Sequence, residues 1–433
     1  MKVKKRLFEI FGPILFAALL MFAVFLSPTW IKFSYVSPKV QRNAAASLSP
    51  LILKGQLIKR SALENNYVPF FGSSEWSRFD PFHPSVLATK YHRSYRPFLL
   101  GARGSQSLTQ FFVMQSINQQ MKNKKAVFFV SPQWFVPMGE DPNAFSFYYS
   151  PLQTTTWIQQ EKGSKMDRYA AYRLLQMPSG DSDKIISGTL ARIAAGLKPT
   201  SFQMLYVNYR HRVLLNEDQI YSRFRIPVNN AKKIANNAAE LPKTYHFQQL
   251  DKLAGQLGEQ HTNSNRFQIG NRFWNRRLKH HVKALKGFQS NMSFLKSPEY
   301  GDFQLVLNQF AKDHTNVLFI IPPVNQRWQK YTGLSSEMLK QFDQKITYQL
   351  RSQGFNHIDD LSQDGNVNYF MTDTIHPGWR GWLKMDQEIN PFLTKKQKAP
   401  HYRIDKSFYS KGWQQAGSDF DYYGYSVKGS LKM

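Results

Sequence analysis

The stretch YVPFFGSSEWSRF, Tyr67–Phe79, runs from an apolar, β-rich segment into a glycine, two serines, a glutamate and a tryptophan. An aromatic run of this length ending at a glycine reads as a buried strand leaving its sheet. Hydroxyls at such an exit suit a turn, a helix cap or a catalytic nucleophile, and the stretch alone does not choose among them. Three other runs share the pattern: RPFLLGARG at 96–104, KAVFFVSPQW at 125–134 and NVLFIIPPVN at 316–325. A weaker fifth, FNHIDDL, covers 355–361. Helical patterns separate them at 108–121 and 337–353. Alternating strand and helix predicts an α/β fold, a parallel sheet with helices on both faces.

Residues from about 142 to 295 break the alternation. They are basic and helix-like, and predict a large helical insertion in the sheet domain. Within it, FWNRRLKHHVKALKGF at 273–288 is expected as the most charged helix, either a solvated face or a surface for headgroups or phosphates. His280 and His281 are adjacent and would diverge on a helix, so no metal site is expected there. The tail, 396–433, is rich in Tyr, Phe and Trp and could dock on the domain or form an interface.

The 433 residues carry a formal charge of +28, with 57 Lys and Arg against 29 Asp and Glu. Such a balance favours polyanionic partners. Lys2, Lys4, Lys5 and Arg6 precede an uncharged run at 10–31, whose 22 residues would span ~33 Å as a helix, about one bilayer core. Basic flanks prefer the cytoplasm, so residues 1–9 are expected inside and everything after Lys32 outside the cell. Pro28-Thr29-Trp30 replaces the small residues of a cleavage site, so the run is read as a single-pass anchor rather than a signal peptide. Residues 32–65, with Pro38 and Pro50, are expected as a stalk, and 66–395 as the catalytic body. The exported part then holds +25. Outside a cell this disfavours nucleic acid and favours anionic lipid headgroups or phosphate-bearing wall polymers. The absence of cysteine suits a Gram-positive surface better than a disulfide-forming compartment.

In open parallel sheets ligands meet the carboxyl ends of strands. Those ends present Ser73-Ser74, Gly101–Ser105 and Ser131–Trp134. Near the end of the chain, MTDTIHPGWRGW places Asp373 three residues before His376. That spacing puts carboxylate and imidazole on one side of the backbone, where the acid can hold one ring nitrogen while the other takes a proton from a hydroxyl. The lipase elbow Gly-x-Ser-x-Gly is ruled out, because residue 76 is Trp.

Gly72-Ser73-Ser74-Glu75, Gly101–Ser107 and Asp373-Thr374-Ile375-His376 follow the block order of SGNH (GDSL-type) hydrolases. More closely, FFGSSEWSRFDPFHPSVLATKY, RPFLLGARGSQSLTQ, VFFVSPQWF and TIHPGW resemble the DltD family of D-alanyl-lipoteichoic acid biosynthesis proteins, from the N-terminal anchor to about Pro391. The resemblance implies an SGNH-like fold with Ser74 as nucleophile, His376 as base and Asp373 as its orienting acid. It implies an oxyanion hole from the N–H groups of Ser74 and Gly104. Where the wider family has an Asn-bearing block this chain has SPQWF, and Gln133 is the nearest candidate donor. Ser73 stands where the wider family commonly has Asp.

The chemistry expected is acyl transfer through an acyl-serine, without metal or cofactor. The resemblance implies D-alanine transfer to lipoteichoic acid, with the membrane O-acyltransferase DltB as partner. Ser73 and Glu75 are possible substrate contacts. Glu75 could attract the D-alanyl ammonium or favour the N-terminus of the following helix. Two other readings use the same sequence: a surface esterase or thioesterase with water as acceptor, and a non-enzymatic scaffold binding teichoic acid or a carrier protein.

Overall fold

Five strands build one fully parallel sheet in the order β2-β1-β3-β4-β5, in a computed structural model that describes residues 2–26, 35–222 and 226–417. They are β1 (Tyr67–Phe71), β2 (Arg96–Leu100), β3 (Lys125–Phe129), β4 (Asn316–Ile321) and β5 (Ile358–Asp360). Phe71 pairs with Leu100 on one side and Phe128 on the other, and Phe129 with Ile320. Each lies within one of the five apolar runs. The runs are near-continuously apolar because both sheet faces are covered.

On one face, Phe71, Phe98, Phe128 and Phe319 pack against the helices Ser107–Gln115, Glu299–Lys312 and Ser336–Arg351. On the other, Phe70, Leu99, Phe129 and Ile320 meet the helices Pro84–Lys90, Phe247–Thr262 and Trp379–Thr394. Each buried Phe contributes roughly 2–3 kcal/mol of transfer free energy. The chain steps outward from β1 to β2, then crosses back over β1 to β3 and continues in the opposite direction, so the switch point lies between β1 and β3. In open α/β sheets such a switch point makes a crevice at the carboxyl ends of the strands, where ligands bind.

Two expectations change. Residues 38–63, read as part of a stalk, instead form the helices Pro38–Ala45, Pro50–Lys54 and Leu57–Leu63, which bury Ala44, Ile52, Leu53, Ile58 and Ala62 in the core. Ser37 and Ser49 cap the first two with their hydroxyls, each followed by proline at the first helical position. The expected helix at 273–288 is broken into a short turn at Asn271–Phe273, a π-turn at Trp274–Leu278 and a 3-10 turn at Val282–Leu285. Phe273 packs against, and Trp274 joins, a small separate core with Phe267, Ile269 and Trp328.

The tail docks as far as it is described. Phe408, Tyr409 and Trp413 are buried, and the buried Lys345 ammonium donates to the carbonyls of Leu295, Trp413 and Ala416. Residues 418–433 lie outside the described ones. The N-terminal helix spans Lys2–Leu26. Among the described residues no helix is long and apolar enough to cross a membrane. The anchor expected at 10–31 runs into residues 27–34, which lie outside them.

Candidate active site

Gly72 follows β1 because nothing larger fits: a Cβ there would stand 2.6 Å from Trp76 Nε1. The chain then makes a 3-10 turn, Ser74–Ser77. Its tryptophan tucks under the sheet end, stacked on Trp382 with ring centroids 5.7 Å apart and edge-on to Phe129. Of Ser73, Ser74 and Glu75, only Ser74 is half-exposed; its neighbours are buried.

Those neighbours hold the turn instead of facing a substrate. Ser73 Oγ donates to the Ala102 carbonyl at 3.1 Å. Glu75 accepts the Ser73 N–H at 2.7 Å and the Ser131 hydroxyl at 2.6 Å, tying the end of β1 to the end of β3. Its carboxylate is fully buried and committed to these two donors, so it is not a site for a substrate ammonium.

Across the crevice, residues 371–377 close a tight hairpin, with Met371 bridged to Pro377 and the Thr372 N–H bonded to the His376 carbonyl. Asp373 Oδ1 accepts the backbone N–H groups of Ile375 and His376 at 3.0 and 2.9 Å. This local turn makes the Asp-x-x-His spacing effective. His376 Nδ1 lies 2.8 Å from both carboxylate oxygens, and Nε2 lies 2.8 Å from Ser74 Oγ. With the proton on Nδ1, which donates to Asp373, Nε2 accepts the Ser74 hydroxyl proton. Residues 302 positions apart thus form one hydrogen-bonded line.

A residue absent from the sequence reading completes it. Arg78 Nη2 sits 2.7 Å from Asp373 Oδ2. It is also 3.4 Å from His376 Nδ1, but that nitrogen cannot accept while it carries a proton, so the arginine bonds the carboxylate. Burial opposes charge on Asp373, yet His376, Arg78 and the Ile375 N–H outweigh it and pull its pKa down to about 2. Asn325, at the carboxyl end of β4, was also not anticipated. Its side chain donates to the carbonyls of Phe267 and, at 3.4 Å, Asp373, and its N–H donates to the Thr374 carbonyl. A polar residue ending an apolar strand was the available signal.

Gly104 lies in the loop after β2 with φ +84°, a conformation suited to glycine, and a Cβ there would stand 2.8 Å from the Ala144 Cβ. The loop is fastened to the nucleophile turn. Ser105 Oγ and the Gln110 amide both donate to the Gly72 carbonyl, and a Cβ on Gly101 would collide with Gly72 at 2.5 Å. Two carboxylates hold its far end: Glu140 accepts the N–H groups of Gln106 and Thr109, and Glu299 that of Ser107. Gln133 stands half-buried on the 3-10 turn Pro132–Trp134 beyond β3, at the same sheet end. Ser74, His376 and Asp373 therefore meet directly, Gly104 and Gln133 lie on neighbouring loops, and Ser73 and Glu75 face inward.

The family model for the DltD protein matches residues 45–394. The chain belongs to the DltD family. It is 48% identical over 420 residues to protein DltD of Lacticaseibacillus rhamnosus, covering 96% of this chain and 98% of that one. Protein DltD of Bacillus subtilis (strain 168) is 32% identical over 90% of this chain and 98% of its own. For protein DltD of Staphylococcus aureus (strain NCTC 8325 / PS 47) the identity is 27%, over 92% and 98%. The DltD match spans every site residue named here, from Gly72 to His376.

Proposed function

We propose that this DltD-family chain is a membrane-anchored extracellular acyltransferase that carries D-alanine as an ester on Ser74 and delivers it to hydroxyls of lipoteichoic acid, on an SGNH-hydrolase-like scaffold. The observation that carries this reading is the line Ser74–His376–Asp373 at the switch point of the sheet, with bonds of 2.8 Å. In the first step Ser74 Oγ attacks the carbonyl carbon of an activated D-alanyl ester or thioester, and its proton passes to His376 Nε2. Asp373 stabilises the imidazolium formed. The tetrahedral oxyanion is held by the N–H groups of Ser74 and Gly104, with the Gln133 amide as a further donor. The bond to the leaving group breaks, His376 returns the proton to that group, and an alanyl-serine ester remains. In the second step a polymer hydroxyl gives its proton to His376 and attacks the ester, and Ser74 recovers its hydroxyl.

Supporting the location, Phe8, Phe11, Ile14, Leu15 and Phe16 stand exposed along the helix Lys2–Leu26, a surface suited to lipid. The charge of +25 beyond it suits a glycerol-phosphate polymer. A membrane O-acyltransferase such as DltB would be the source of the acyl group. The test is transfer of labelled D-alanine from a D-alanyl thioester to a glycerol-phosphate oligomer by the full chain in neutral detergent. Label must reach the oligomer with the native chain and not with Ser74→Ala. Release of free D-alanine alone would make the protein a hydrolase.

A further inference from the structure

Residues 260–298 contain eight Lys and Arg and no Asp or Glu. Six of these, Arg272, Arg276, Arg277, Lys279, Lys283 and Lys286, are exposed on the broken segment described above. A solvated helix face would spread such charges on a continuous helix with acidic partners at helical spacing. Here they are presented by irregular backbone that is nevertheless fixed. Trp274 is buried against Phe267 and Trp328, and the Tyr331 hydroxyl donates to the Val282 carbonyl at 2.8 Å. The Gly287 N–H donates to the Tyr331 carbonyl at 3.1 Å. Single π-turns of this kind recur at functional sites.

The segment is bolted to the catalytic hairpin. The Gly270 N–H donates to the Thr372 carbonyl at 2.9 Å. Asn325 joins the Phe267 carbonyl to the Asp373 loop. The Arg78 guanidinium, bonded to Asp373, lies 5.8 Å from the Phe273 ring centroid. The segment that carries the cations is therefore fastened to the hairpin that carries Asp373 and His376.

We infer that the rim 272–286 is the binding surface for the phosphodiester chain of the acceptor polymer, holding successive phosphates so that an adjacent sugar-alcohol hydroxyl reaches the acyl-serine. This rests on the acyl-transfer reading for its catalytic consequence, but not for the binding itself. A flat bilayer would present the same phosphodiester chemistry. The attachment of the segment to the Asp373–His376 hairpin favours a polymer strand held beside the catalytic residues.

The test uses the full chain in neutral detergent, a glycerol-phosphate oligomer of defined length, and separately phosphatidylglycerol vesicles. The triple variant Arg276→Gln/Arg277→Gln/Lys279→Gln alters exposed side chains only, and melting temperature checks its folding. The control triple Lys395→Gln/Lys396→Gln/Lys398→Gln removes equal charge from exposed positions elsewhere. At low salt the first triple should weaken oligomer binding by about tenfold or more and the control by less than about twofold. Equal losses from both triples would overturn the inference in favour of diffuse charge. So would a loss confined to vesicles, or no loss at all. Binding that depends on the rim in a chain that never forms an acyl adduct would refute the proposed catalysis and leave this surface standing.

Discussion

Arg78 and Asp373 form an ion pair of 2.7 Å on the same carboxylate that orients His376. The arginine is about one-third exposed, the aspartate almost fully buried. The cation and His376 together hold the buried carboxylate of Asp373 in its charged form, against the cost of its burial.

Arg78→Ala removes this partner and leaves Asp373 held by His376 and the hairpin N–H groups alone. Single-turnover acylation should slow by about tenfold with donor binding little changed, and Arg78→Lys should recover part of the loss because it restores a cation beside the carboxylate. An unchanged acylation rate in Arg78→Ala would mean that the arginine does not hold Asp373 for catalysis.

Gly104 carries the second prediction. An alanine there needs φ +84° and meets the Ala144 Cβ at 2.8 Å, so the loop must shift at a cost of about 1–2 kcal/mol. If its N–H serves the oxyanion, Gly104→Ala should slow single-turnover acylation by roughly 10²-fold or more and leave donor binding nearly unchanged. Stopped-flow acylation against donor concentration separates the two.

The buried carboxyls of Glu140 and Asp359 should each cost stability as pH rises from 5 to 8. Burial raises the carboxyl of Glu140 to about 7, and burial with the nearby Glu388 raises Asp359 to about 7. Both folded values exceed the unfolded ones, so their contribution is complete below about pH 4 and is lost as pH rises through 7. Asp373, lowered to about 2, acts in the opposite direction only in strong acid, while the buried His83 and Lys59, lowered to about 3 and about 7, oppose within the window. The difference between wild type and Glu140→Gln isolates one carboxyl: relative to wild type, the variant should gain melting temperature from pH 5 to pH 8. A difference that does not change with pH would contradict the assignment.

The sheet was legible because strands covered on both faces leave long apolar runs, and each ends in turn residues at the crevice. Asp373 and His376 were legible as a pair because their contact is made within one hairpin. Arg78 was not, since its partner lies 295 positions away and no local pattern announces it. The role of Glu75 was hidden for a related reason: whether a carboxylate faces solvent or the hydroxyl of Ser131 depends on how β1 and β3 pair. The misread stalk did carry its signal. Ser37-Pro38 and Ser49-Pro50 are helix starts, since proline suits the first helical position although it breaks a helix further in. At 273–288 the charges suggested a helix, while Phe273 and Trp274 belonged to a small core that bends the backbone away from one.

Intact-mass measurement of the full chain after brief incubation with a D-alanyl thioester tests the acyl-serine most directly. The native chain should gain one alanyl group on Ser74 and lose it when a glycerol-phosphate oligomer is added. Ser74→Ala should gain none, and His376→Ala should gain it about 10³-fold more slowly. An equal gain in Ser74→Ala, or an adduct that the oligomer never discharges, would contradict the account.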